Sequence, residues 1–329
     1  MSNTLIRQYG AALCVMVGLL SPQVHAEPNK WRSFTLDNDI FLGDDSGYSN
    51  GLHFSQYHAD TEQLVDSGWL NSLLTWSIDT QNARVNYRAN TFGQIIVTPV
   101  DIEEPALQED DIPYSGLLYF NQAYVIDHGE HADRISTLIG LIGPNSGAAN
   151  SQRAIHKLTG SDIPQGWDNQ LGNEIVFQFS RGRAWRNWVS DEQNFDLITT
   201  LDGKLGTLET SLSSGLMMRY GRDIQQTYSS ALLNDERNSN PVNIEGGWFF
   251  YVGLEARYTS HLIYLDGNNF KDSHSVSYEP FQFNGFIGYS YAWQDVSISV
   301  AVNNIDTFGL SNQGEDVKQY GTITFLWRI

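Results

Sequence analysis

The last ten residues of the chain read Tyr320-Gly-Thr-Ile-Thr-Phe-Leu-Trp-Arg-Ile329. Apolar side chains alternate with polar ones, the apolar positions being Ile323, Phe325, Trp327 and Ile329. Successive side chains of a strand point to opposite faces, so this pattern predicts a strand with one lipid-facing side and one polar side. Such a segment is typical of the terminal strand that outer-membrane barrel proteins present to the barrel assembly machinery, although here it ends in Ile instead of the usual Phe.

Segments with the same period of two recur along the whole chain. The clearest cover residues 134–142 and 281–291, each with small or polar side chains on one face. The predicted strands begin near Trp31, Gly51, Arg84, Gly116, Asp133, Asn173, Asn194, Thr207, Trp248, Phe281, Val296 and Tyr320. About twelve strands is an even number within the range of bacterial barrels. We therefore predict an all-β fold, a transmembrane antiparallel β-barrel of about twelve strands, with a short helix in an extracellular loop.

The N-terminal segment predicts export. Arg7 precedes an apolar run at residues 11–20, and small residues at Val24 and Ala26 complete the pattern of a cleavable signal peptide. We expect a signal peptide at residues 1–26 and one barrel domain at residues 27–329. The single cysteine, Cys14, lies in the leader, so the mature chain has no thiol for disulfides, metal ligation or nucleophilic catalysis. Export without another apolar run of about 20 residues favours the Gram-negative outer membrane.

The charge of the chain limits its partners. The formal net charge is −19, and removal of the leader with Arg7 makes it one unit more negative. Nucleic acid is thereby excluded as a partner. An acidic protein among phosphorylated lipopolysaccharide molecules needs divalent cations between the two, although most of the acids fit a solvated extracellular face.

Strand order predicts where the connections lie. With the N-terminus in the periplasm, the connections around residues 41–50, 100–113 and 143–172 are extracellular. The connection at residues 222–245 is then periplasmic, where it is long for such a turn.

The first candidate site is Asn38-Asp39, followed by Tyr48-Ser49-Asn50-Gly51. An amide carbonyl and a carboxylate at the outer end of the first strand are hard ligands that suit calcium. The spacing is not that of an EF-hand, and the alternative is an Asx-rich turn between two strands.

The second candidate site is Gln152, His156 and Asp162 in the loop at residues 143–172. Gln152 and His156 are four residues apart and therefore share one helical face. Gly160 predicts the end of that helix, after which Asp162 can turn back to orient the imidazole. A neutral histidine near a carboxylate is a ready general base, whereas a structural histidine is the alternative.

Other histidines predict less. His128-Gly129-Glu130-His131 has the residue types of a metal site but falls in a predicted periplasmic turn, which favours a solvated loop. His53 and His58 flank a predicted strand, and we expect them to face the lumen.

Several motifs together resemble the outer-membrane lipid A 3′-O-deacylase family. They are Asn38-Asp39, Tyr48-Ser49-Asn50-Gly51, Pro113-Tyr114-Ser115-Gly116, Ile142-Gly143-Pro144, Gln152-x-x-x-His156 and Gly166-Trp167-Asp168-Asn169-Gln170. The resemblance covers residues 37–174 by motif and the remaining strands only in general character. It implies a twelve-stranded barrel whose active site lies between the wall and a helix of an extracellular loop. It also implies calcium-dependent hydrolysis of the 3′-linked acyloxyacyl chain of lipid A.

The resemblance implies roles for six residues. His156 would be the base, Asn38 and Asp39 the groups near the metal, Ser49 the counterpart of a usual Thr, and Gln152 and Asp162 the groups around the base. Three features depart from the family pattern: Asp162 stands in place of Glu, Ile112 in place of an Arg, and the loop after Pro99 is acidic where a Lys is expected. The two missing cations bear on recognition of the lipid A phosphates more than on hydrolysis.

The expected function is therefore removal of that acyl chain in the outer leaflet by a His-activated water, with calcium stabilising the oxyanion. Without a mature cysteine or a Gly-x-Ser-x-Gly elbow, water is favoured over a covalent nucleophile, and Ser49 ranks lower. The alternatives are an outer-membrane phospholipase and a non-enzymatic narrow porin or structural barrel.

Overall fold

The computed structural model describes residues 30–38, 47–60, 78, 83–232, 246–306 and 319–329. The predicted leader, residues 1–26, lies outside the described residues. The strands are β1 (Lys30–Asn38), β2 (Gly47–Asp60), β3 (Val85–Thr98), β4 (Ser115–Asp127), β5 (His131–Ile142), β6 (Glu174–Val189), β7 (Phe195–Gly206), β8 (Glu209–Arg222), β9 (Gly247–Leu262), β10 (Phe281–Trp293), β11 (Val296–Asp306) and β12 (Tyr320–Arg328). Each strand pairs antiparallel with its neighbours, and β1 pairs with β12 to close the barrel. The predicted fold is confirmed, and the predicted strand starts agree to within a few residues.

Alternation along each strand separates an outer face from a lumen face. On β5, Ile139 is 57% exposed whereas Arg134 is 1% exposed, and the two lie on opposite faces because their positions differ by an odd number. Exposed apolar side chains of other strands include Phe92, Phe120, Phe177, Phe179, Leu205, Phe250 and Val300. An apolar outer band is what a lipid bilayer requires of a barrel, because lipid cannot hydrogen-bond polar groups.

The β8–β9 connection folds back into the lumen. Its residues 224–232 form two 3-10 turns, Ile224–Gln226 and Tyr228–Leu232. Arg134 donates to the carbonyl of Leu232 at 2.6 Å, and the Tyr228 hydroxyl donates to Asp127 Oδ1 at 2.8 Å. Burial, followed by the charge of Asp127, raises the pKa of Tyr228, so the phenol remains a neutral donor. The sequence predicts a long periplasmic turn here. The described part of this connection folds into the lumen, and residues 233–245 lie outside the described residues.

Within the described residues, two α-helices lie in connections at the same end of the barrel. α1 (Ala148–Thr159) belongs to the β5–β6 connection, and α2 (Ile263–Asp266) belongs to the β9–β10 connection. We name this the helix end, and the opposite end, where β4 meets β5, the turn end. The β3–β4 and β5–β6 connections and the last residue of β1 all lie at the helix end, as strand order predicts. In the described parts of the chain, each helix is too short or too polar to cross a membrane.

Candidate active site

α1 packs on the outer face of the wall. Gly116 of β4 lies under the start of the helix, where an added Cβ would be 2.2 Å from Ala148 Cβ. Gly116 shares its strand face with the exposed Phe120, so this contact is on the lipid side of the sheet. Gln94 of β3 donates to the carbonyl of Ser146 at 2.8 Å and fixes the turn before the helix. The small residue at 116 thus lets the helix approach β3 and β4 closely.

A buried aromatic cluster holds the helix in place. Ile96, Tyr114, Ala148 and Trp167 pack together, and the rings of Tyr114 and Trp167 have centroids 5.0 Å apart. The Tyr114 hydroxyl donates to the carbonyl of Ile102 at 3.0 Å, which ties the β3–β4 connection to the same cluster. In the sequence, Tyr114 and Trp167 stand out only as parts of motifs, because their contact joins two different connections.

His156 and Gln152 are both fully buried, on the side of α1 that bears Ala148. His156 Nδ1 is 2.5 Å from the carbonyl oxygen of Asp162. A carbonyl oxygen only accepts hydrogen bonds, so Nδ1 carries the proton and Nε2 of the neutral ring carries a lone pair. Nε2 is buried and has no hydrogen-bond partner within the described part of the chain. The imidazole is therefore held in the tautomer that a general base requires.

Gln152 is oriented by Trp167. The indole Nε1 of Trp167 donates to Gln152 Oε1 at 2.8 Å, which fixes which end of the Gln152 amide is oxygen and which is nitrogen. Gln152 Nε2 is then a buried hydrogen-bond donor. That nitrogen has no partner among the described residues. One turn of helix thus presents a buried acceptor and a buried donor side by side, an arrangement able to bind a water or a carbonyl oxygen.

Asp162 takes a different part from the one expected. Its carboxylate is exposed, and its contact with His156 is made by the main-chain carbonyl. The expectation that the carboxylate orients the imidazole is therefore wrong for this structure. The physical reason is the left-handed turn at Gly160, where φ is +76°, after which the main chain reverses beneath the ring.

Asn38 ends β1 on the outer face, and its Nδ2 donates to Asn50 Oδ1 at 2.5 Å. Both side chains are buried. Strand pairing places Asn38, Asn50, Ile96 and Gly116 in one row across four strands. In the sequence, Asn50 stands out only as part of a motif, because the spacing along the chain does not reveal which residue lies opposite Asn38.

The remaining predicted site residues are incompletely described. Asp39 lies outside the described residues, so its place beside Asn38 stays a prediction. Ser49 belongs to β2 next to an irregularity in the register between Tyr48 and Asn50, and its side chain lies outside the description.

His53 belongs to the lumen face behind this row, as expected, whereas His58 shares the outer face with the exposed Phe54, so the expectation is wrong for His58. His53 Nδ1 is 2.8 Å from the Tyr119 hydroxyl, and its Nε2 is 3.3 Å from Asp37 Oδ2. Thr322 donates to the other oxygen of Asp37 at 2.6 Å. Asp37 and Asn38 are adjacent in the chain and face opposite sides of the sheet, so the lumen network supports the strand end that carries Asn38.

The closed barrel of twelve strands and its apolar outer face define the protein as a membrane-spanning β-barrel. Its polar candidate site lies between α1 and the lipid-facing wall. The family model described as outer membrane protein LpxR matches residues 11–329, and the chain belongs to this family, which places it in the outer membrane. The structure of LpxR from Salmonella typhimurium has a TM-score of 0.74 and 18% identity, over 91% of this chain and 100% of that chain. Structural similarity at 18% sequence identity shows that the two proteins share a fold.

Two other solved barrels are similar only at a general level. The KdgM porin has a TM-score of 0.37 and 7% identity over 91% of this chain and 99% of its own, in a complex with disordered oligogalacturonate. The β domain of the Bordetella autotransporter BrkA has a TM-score of 0.42 and 9% identity over 91% of this chain and 98% of its own. No curated protein matches the chain.

Proposed function

We propose that the protein hydrolyses the ester that joins the 3′-linked acyloxyacyl chain to lipid A, with His156 as the general base. Membership of the LpxR family supports lipid A deacylation as the class of activity. The observation that carries the mechanism is the buried imidazole of His156, whose Nδ1 proton is bonded to the Asp162 carbonyl and whose Nε2 has no partner among the described residues. Its position on the outer wall is one that a lipid substrate can reach without entering the lumen.

In the proposed reaction, His156 Nε2 takes a proton from a water whose oxygen attacks the ester carbonyl carbon. The Gln152 Nε2–H group, one helical turn away, donates to the oxygen on which negative charge develops. Collapse of the tetrahedral intermediate breaks the bond to the 3′ oxygen, which takes the proton back from Nε2. The products are a free acyloxyacyl acid and a 3′-hydroxyl group, and the base is regenerated.

Asn38 and Asp39 would hold calcium. The amide oxygen of Asn38 and the carboxylate that follows it are hard donors of the kind that this ion prefers, and the bond to Asn50 already orients the Asn38 amide. When bound, calcium supplies positive charge that polarises the ester carbonyl. The helix end would face the cell exterior, because lipid A occupies the outer leaflet.

The phosphates of lipid A need cations that the β3–β4 connection lacks. Arg153 and Lys157 are exposed on α1 and lie four residues apart, so they share one face of the helix that carries the base. We expect Arg153→Gln with Lys157→Gln to raise KM for lipid A and to leave kcat near the wild-type value. Dephosphorylated lipid A should be hydrolysed equally well by both proteins, and a KM effect that persists on this substrate would contradict a phosphate role.

The central test compares His156→Ala with Asn150→Ala, a change at an exposed position of the same helix. Mass spectrometry of lipid A from cells expressing each variant should show loss of the 3′ acyl chain with wild type and Asn150→Ala only. A general base contributes roughly 10²–10⁴-fold in rate, so the difference is large. Heat-modifiable gel mobility checks that each barrel is folded.

Glycerophospholipid vesicles form the second arm of this test. Release of fatty acid from them, with intact lipid A, would favour the phospholipase alternative. Full lipid A deacylation by His156→Ala would remove the mechanism.

A further inference from the structure

A second group of titratable side chains lies at the turn end, opposite to α1. His128 N donates to the carbonyl of His131 at 2.9 Å, so the two histidines face each other across the hairpin between β4 and β5. Their rings are stacked, with centroids 4.6 Å apart and planes inclined by 22°. Asp133 completes the group, since the possible ligand atoms of the three residues all lie within 4.8 Å of one another.

Two features distinguish this group from a solvated turn. His128 Nε2 is buried and has no hydrogen-bond partner among the described residues. Asp133 is fully buried, and its Oδ1 accepts from Arg181 at 2.6 Å and from Arg183 at 2.7 Å. Among the described residues, its Oδ2 accepts only from Arg183, at 2.8 Å, and lies 3.9 Å from His131 Nε2. A carboxylate has about four acceptor positions, so Oδ2 keeps one on the oxygen nearest the histidines.

We propose that His128, His131 and Asp133 form a site for a divalent transition metal of the zinc, copper or nickel class. Two imidazoles and one carboxylate are the donors that these ions select, whereas calcium takes oxygen ligands. Metal–ligand bonds of about 2.1 Å in a tetrahedral site separate ligand atoms by about 3.4 Å. The side chains would therefore close by little more than an ångström. The bound ion would join β4 to β5 and, through Asp133, to the two arginines of β6.

Copper titration of the purified full-length barrel in detergent, without a polyhistidine tag, tests the site. Trp185 of β6 pairs with His131, so copper bound there should quench its fluorescence. We expect one tight equivalent per barrel, displaced by zinc. His128→Ala and His131→Ala should each weaken binding by at least the roughly tenfold to hundredfold that loss of an outer-shell partner costs. His58→Ala, which removes another half-buried histidine, is the matched control and should bind as wild type.

Trp185→Phe should remove most of the copper quenching, whereas zinc binding measured by calorimetry should be unchanged. This pair of results would locate the ion beside Trp185. Equal affinity of wild type, His128→Ala and His131→Ala would overturn the proposal. If an Ala variant fails to assemble, His131→Gln takes its place and is judged by the same comparison. Lipid A deacylation should be unchanged in these variants, because the group lies at the other end of the barrel from His156, so this test is independent of the proposed activity.

Discussion

At the scale of single residues, His156 is held by a main-chain atom. The Asp162 carbonyl accepts the Nδ1 proton, and the Asp162 carboxylate is exposed. We therefore expect Asp162→Asn to deacylate purified lipid A at close to the wild-type rate. Gly160→Val should be impaired, because a β-branched residue is strained at φ +76° and the turn that presents the carbonyl would shift. A loss in Asp162→Asn approaching the roughly 10²–10⁴-fold contribution of a general base would show that the charge is needed.

Asn38 allows a separate prediction about calcium. Asn38→Ala removes a proposed oxygen ligand, so activity should require more calcium. Asn50→Ala removes only the partner that orients Asn38, at 2.5 Å, and should have a smaller effect in the same direction. Rates measured against free calcium in a chelator buffer distinguish the variants. Activity of wild type that is indifferent to the chelator would rule out the metal.

At the scale of elements, the close approach of α1 to the wall depends on the absence of a side chain at Gly116. A Cβ there would lie 2.2 Å from Ala148 Cβ and 2.3 Å from Ser146 Oγ, so Gly116→Ala forces the helix away from β4. Overpacking of this kind costs about 1–3 kcal/mol, which the helix can relieve by moving. We expect loss of most deacylation with a barrel that remains heat-modifiable. Gly203→Ala is the control, since its Cβ would meet only Leu212 Cδ1, at 3.9 Å.

A rescue experiment makes the same prediction stricter. Gly116→Ala combined with Ala148→Gly removes one of the two close contacts and should recover part of the activity. Absence of recovery, together with equal loss in Gly203→Ala, would mean that strand glycines matter for the barrel and not for the position of the helix.

At the scale of the whole molecule, protein fills part of the lumen that would be filled with water in an open pore. Residues 224–232 lie inside the barrel, held by Arg134 through Leu232 and by Tyr228 through Asp127. Arg219 adds a fully buried ion pair with Asp196, at 2.6 Å. We expect the wild-type protein to show no steady conductance in planar bilayers. Arg134→Ala with Tyr228→Phe should produce fluctuating currents, because the segment loses two of its bonds and keeps those from Arg219 to Ile224 and Thr227. Stable open channels in wild type would contradict the occupied lumen.

The amino-acid sequence by itself determined the barrel, its number of strands and the end at which the candidate site lies. These properties follow from alternation with a period of two, which is local, and from the parity of strand order, which needs no distances. The helix could also be predicted, because Gln152 and His156 repeat at helical spacing and Gly160 follows them.

Only the tertiary structure decided which atoms meet. Trp167 bonds Gln152 across 15 residues of sequence, and Arg134 bonds Leu232 across 98. Such contacts depend on strand register, on how closely a helix approaches the wall and on how a connection folds into the lumen. None of these quantities has a local signature in the chain. For the same reason, the sequence predicts a contact of Asp162 with His156 through the carboxylate, whereas the main-chain carbonyl makes it, because the direction of the main chain after the turn at Gly160 is set by packing.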